Sequence, residues 1–165
     1  MRMNGTGNRI ERHRSEFRVT LILLGAPLAG TGGWALAAPH NWYFTFPGAG
    51  HHWVSVLGPY NEHLARDFGS LLLGLGLLLL ASAVVLSRPL VQAALGTTLV
   101  WAVPHFIFHM TKLEDMPTGD NIVNMVSLGL TVIVPIVLLA LTLRPDTQIE
   151  KTKPTVPAEQ PVGTQ

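Results

Sequence analysis

Two ionisable pairs stand at the edges of apolar runs. In PYNEHLARDFG, His63 and Asp67 lie four residues apart just ahead of LLLGLGLLLL, and in VPHFIFH, His105 and His109 repeat that spacing at the end of another apolar run. Four residues is about one helical turn, so each pair shares one helix face. Three imidazoles and a carboxylate are enough to complete a tetrahedral zinc site, or to hold iron or copper with an open position. Histidines from two helices are also an axial set for haem. His63, Asp67, His105 and His109 are therefore the candidate ligands for a transition metal or haem, with Asp120, Asn121 and Asn124 as supporting polar groups. HxxxH is the spacing of the zinc-binding HExxH helix, but Phe106, Ile107 and Phe108 fill the interval here. Without the glutamate base, metalloprotease chemistry is unsupported.

Two other readings use the same residues. In the first, Asp67 accepts a proton from His109, and the cluster is a clamp tying two helices together. In the second, the cluster handles protons or a quinone, as in a proton-coupled carrier. Against a carrier, no apolar run holds an acidic residue at its middle, where transporters place their sites. No catalytic residue is assigned. The sequence contains no Gly-x-Ser-x-Gly and no Walker motif. It has no cysteine either, which excludes a dithiol relay, an iron–sulfur cluster and a thiolate metal site. The net charge of +1 comes with no basic, aromatic-interleaved patch, so nucleic acid is not an expected partner.

The elements that position these residues follow from the apolar runs. Only 13% of the residues are charged, about half the share of a soluble domain. Four segments are long enough to cross a hydrocarbon core of about 30 Å. They are 19–38, 68–86 on a helix beginning near residue 59, 90–110 and 121–143. Backbone polar groups in lipid must be satisfied within the segment, so these are helices. The expected fold is all-α, an integral membrane four-helix bundle with short loops, one longer external loop and a disordered C-terminal tail.

Charge sets the expected orientation. Arg2, Arg9, Arg12, Arg14, Arg18, Arg88, Arg144, Lys151 and Lys153 fall on one side, and only Arg66 and Lys112 on the other. By the positive-inside rule both termini are cytoplasmic. The arginines, apolar stretch and Ala35-Leu36-Ala37 also match a cleavable secretory signal. Pro27 and the surrounding glycines favour a packed, kinked span instead. Residues 1–18 read as a cytoplasmic segment, 19–143 as the membrane domain and 144–165 as a disordered tail. The stretch from Pro39 to Gly58 carries Trp42, Tyr43 and Trp53, rings suited to the headgroup layer. It is expected to fold as a short helix or loop over the outer mouth, with His51 and His52 at its surface. Asp120 is the expected N-cap of the last span.

Stepping by threes and fours sets the expected faces. From His63 the second span gives Asp67, Ser70, Gly74, Leu77 and Ala81. Backward from His109 the third gives His105, Ala102, Thr98 and Ala94. Small residues mark close helix approach in membranes, so both stripes are expected to face inward. Asp67 and His109 are each 21 residues from Arg88 in the connecting turn, which puts them at one level.

The NEHxxRD and PHxxxH elements, in PYNEHLARDFGSLLLGLGLLLL and VPHFIFH, resemble a group of small four-span bacterial membrane proteins without a known activity. The four-span layout extends the likeness to residues 18–144. More loosely, the layout is similar to the DoxX-like families, some of whose members accompany quinone-linked oxidoreductases. That resemblance implies a multi-pass protein of the bacterial cytoplasmic membrane and transfers no activity. The expected function is a non-catalytic or accessory membrane component with a His/Asp polar site at the outer mouth. The alternatives are a metal- or haem-dependent membrane oxidoreductase, or its subunit, and a proton-coupled carrier. The expected partners are the lipid bilayer and either a membrane redox partner or further copies of the chain.

Overall fold

The computed structural model describes residues 9–113 and 116–143. The expected tail at 144–165 lies outside the described residues. Six α-helices occur among them: α1 (Arg9–Arg12), α2 (Arg14–Ala37), α3 (Pro39–Thr45), α4 (Glu62–Val85), α5 (Arg88–Met110) and α6 (Thr118–Leu143), with a 3₁₀ turn at Ser55–Leu57. Four of them, α2, α4, α5 and α6, are long and apolar enough to cross a membrane. The chain is thus an all-helical, multi-pass membrane bundle.

Local chemistry sets the ends. Asn61 caps α4, its Oδ1 accepting from the Leu64 N–H at 3.1 Å. Leu86 ends α4 in the left-handed region at φ 55° and is itself buried. Ser87 then turns the chain, and Pro89 occupies the first turn of α5, where no N–H is needed. Pro27, Pro104 and Pro135 lie inside α2, α5 and α6. The last span begins at Thr118, ahead of Asp120, which falls in the first turn rather than at the expected cap.

The helices alternate in direction, giving a terminal end, where α2 begins and α4 turns into α5, and a loop end carrying α3. The closest pair is α2 with α4. A Cβ on Gly32 would lie 2.7 Å from the Gly69 carbonyl oxygen, and one on Gly69 would lie 2.9 Å from the Gly32 oxygen. A Cβ on Gly25 would lie 2.9 Å from the Gly76 oxygen. Nothing larger than hydrogen fits at these crossings, and close backbone approach is what holds membrane helices together. Arg18 Nε adds a hydrogen bond to the Ala83 carbonyl at 3.1 Å. On the other flank α5 packs along α6, where the Gln92 amide donates to the Thr142 carbonyl at 3.3 Å.

The apolar core occupies the terminal half, where Leu21, Leu79, Val91, Leu95 and Leu138 meet Ile10 of α1. In the loop half a second, aromatic cluster is built on Trp42, Tyr43, Ala35 and Ala65. Phe68 of α4 packs against both clusters.

One expected face is corrected. Asp67, Ser70, Gly74, Leu77 and Ala81 of α4 all point outward, because α4 turns Gly69 and Gly76 toward α2 instead. The matching stripe on α5 does face inward: Ala94, Thr98, Ala102 and His109 are buried and His105 is half-buried.

Candidate ligand cavity in the loop half

α5 turns Trp101, His105 and His109 along one side, each four residues from the next, so their rings stack up the helix. The Trp101 and His105 centroids are 4.9 Å apart at 23°, and those of His105 and His109 are 4.7 Å apart, edge to face. The Phe68 ring of α4 has its centroid 6.5 Å from that of His105, at 30°. These separations are those of favourable ring pairs. His109 is only 7% exposed and its Nδ1 meets the Asn124 amide nitrogen at 3.1 Å. With that amide donating, the neutral ring carries its proton on Nε2. Asn124 of α6 is itself 4% exposed, so the pair is a buried polar tie between α5 and α6.

Between these rings and α2 lies a cavity of about 490 Å³. Its walls are Pro27, Leu28 and Thr31 of α2; Leu64, Ala65, Phe68 and Leu72 of α4; Trp101, His105, Phe108 and His109 of α5; and Asn124, Ser127, Leu128 and Thr131 of α6. The roof is α3 with the loop after it, through Trp42, Tyr43, Phe46 and Trp53. No Asp, Glu, Lys or Arg lines it. The volume falls within the range of small-molecule sites, roughly 300–1,000 Å³.

The roof is fastened at several points. Trp42 stacks on Phe68 with centroids 5.3 Å apart, and the Tyr43 hydroxyl donates to the Gly58 carbonyl. The Trp53 backbone N–H donates to the Phe46 carbonyl at 2.9 Å across the turn at Gly48, Ala49 and Gly50, all of positive φ. His51 Nδ1 lies 2.9 Å from Asp120 Oδ1, pinning the loop to the first turn of α6. Arg66 reaches the Leu36 carbonyl at 2.7 Å while holding Glu62, so one guanidinium covers the end of α2 and keeps its own-helix pair. Burial, and after it the Glu62 carboxylate, push the Tyr60 phenol up from its ordinary value, so this roof residue stays neutral.

The candidate ligands form two pairs. His63 and Asp67 meet at 3.3 Å, with side chains 88% and 57% exposed on the outward face of α4. His105 and His109 face the cavity. Among the described residues no three of His, Asp and Glu gather as a metal-holding group, so the four-residue constellation is not brought together. Asp67 pairs with its own-helix neighbour His63, and the tie between spans runs instead from His109 to Asn124. Of the supporting groups, Asp120 holds His51, while Asn121 donates its amide to the Met116 carbonyl at 3.0 Å. Trp101, Phe68 and Trp42 were missed as site residues. A Trp four residues before His105 was the available signal.

Comparison with known proteins gives no relative to argue from: no family model, no curated protein and no solved structure matches the chain.

Proposed function

We propose that this chain is a non-catalytic, accessory component of the bacterial cytoplasmic membrane that holds a neutral, lipid-soluble molecule in the outer half of the bilayer. The observation that carries the reading is the charge-free cavity of about 490 Å³ between largely apolar walls, with a few polar groups converging on it, among them His105, His109, Asn124 and Ser127 on its α5–α6 side. Many apolar contacts with a few convergent polar groups is the ordinary make-up of a small-molecule site. The orientation follows from charge. Arg12, Arg14, Arg18 and Arg88 lie toward the terminal end, and Arg66 and Lys112 toward the loop end. Lys and Arg mark the cytoplasmic side, so the aromatic roof faces outward.

Mass spectrometry of organic extracts from gently purified protein tests this. Wild type should carry a lipophilic species enriched over the surrounding membrane extract. Ser127→Phe, which fills the cavity from α6, should lose it while keeping its melting temperature. Identical extracts from the two proteins would contradict the reading.

The oxidoreductase alternative retains one support, the adjacent His105 and His109 rings. Stoichiometric metal or a haem absorbance band, lost in His105→Ala and His109→Ala, would favour it over the accessory reading.

A further inference from the structure

We infer that the occupant is a neutral molecule with a flat, oxygen-edged ring and a hydrocarbon tail, its ring against the Trp101, His105 and Phe68 rings and its oxygen on the His105 imidazole. This rests on the cavity being a ligand site and names the chemical class of the ligand.

Charge comes first. A carboxylate, phosphate or ammonium buried here would meet no opposite charge on any wall, and burying an unpaired ion is prohibitive. Shape is next. Trp42, Phe68, His105 and Trp101 line the cavity with their rings packed on one another, and a planar partner adds to such a group in offset or edge-to-face contact.

Hydrogen bonding then selects an oxygen. The Ser127 and Thr131 hydroxyls spend their protons on the Asn124 and Leu128 carbonyls, at 2.9 and 2.7 Å. His109 Nδ1 is engaged by Asn124. His105 is held only by ring contacts, with no hydrogen bond to another described residue. A neutral imidazole has one N–H to give, and the indole N–H groups of Trp42 and Trp53 on the same cavity are buried without a partner among the described residues, so a ring with oxygens on its edge supplies acceptors that these donors lack.

The tail follows from the packing order. α2 packs on α4, α4 on α5 and α5 on α6, but no comparable contact joins α6 back to α2. The short α1 bridges toward α6 at the terminal end. In the loop half the cavity lies between Thr31 of α2 and Thr131 of α6, so a hydrocarbon tail leaves sideways into the acyl chains.

Calorimetric titration of the full chain in lipid nanodiscs tests this with three probes: decyl-para-benzoquinone, decylbenzene, which lacks the oxygens, and decanol, which lacks the ring. The quinone should bind saturably and about fivefold tighter than decylbenzene, the factor expected for one net hydrogen bond. Decanol should be the weakest. His105→Phe, which keeps a ring at this position, should bring the quinone down to decylbenzene and leave decylbenzene unchanged. Equal binding of quinone and decylbenzene, or a ratio that survives His105→Phe, overturns the imidazole–oxygen contact. Decanol matching both overturns the ring. In either case a loss of binding in Ser127→Phe would leave the cavity reading standing. No saturable binding of any probe, or binding indifferent to Ser127→Phe, would overturn the cavity reading as well.

Discussion

Removing the Asn124 amide leaves His109 Nδ1 buried with no donor. An unsatisfied buried polar atom costs about 1–3 kcal/mol, so Asn124→Leu should lower the melting temperature in detergent by an easily measured amount. An unchanged melting curve would mean the tie between α5 and α6 is dispensable. His63 and Asp67 make the contrasting case. Their contact is closed at 3.3 Å but lies on an exposed face, and exposed pairs one turn apart contribute little. His63→Ala and Asp67→Ala should both melt close to wild type. Substantial destabilisation by either would show that this face is covered in the membrane. The two ionisable pairs share a spacing and a position at the edge of an apolar run, so the sequence alone made them equals. Their difference lies in which neighbour turns toward them, Asn124 in one case and solvent or headgroups in the other.

For the helices, the contact between α2 and α4 makes a sharper claim. Gly32→Val and Gly69→Val each drive a side chain into the facing backbone, and overpacking of this kind costs about 1–3 kcal/mol or more. Gly30→Ala and Gly74→Ala enter open space and should be tolerated. If all four behave alike in thermal melts, this pair does not pack as described. The spans themselves could be read from the apolar runs to within a few residues, because lipid leaves a helix few alternatives. The orientation of α4 could not be read by stepping from His63, since the helix has small residues on two faces. Gly25 and Gly32 are seven apart, as are Gly69 and Gly76. That matched interval on antiparallel helices was the sequence signal for the true face. The α5 stripe was readable because its small residues and its histidines lie on the same side. The cavity was not, because it depends on what α2 and α6 fail to fill.

Across the whole molecule, the described structure divides into a packed terminal half and a hollow loop half under an aromatic roof. The orientation in the membrane is open to a simple check, since the chain contains no native cysteine. Thr111→Cys should react with an impermeant maleimide added from the outer side, and Ser87→Cys should not; the reverse pattern would invert the topology. The hollow half itself is best probed in its native membrane with a decyl-para-benzoquinone bearing a photoreactive diazirine on its tail, followed by peptide mapping of the crosslinks. Labels should concentrate on the cavity walls, at Trp101 to His109 of α5 and Asn124 to Thr131 of α6, and fall away in Ser127→Phe. Labels confined to outward-facing positions such as Leu71, Val100 and Ile133, with no change in that variant, would mean that lipid-soluble molecules see only the outside of this bundle.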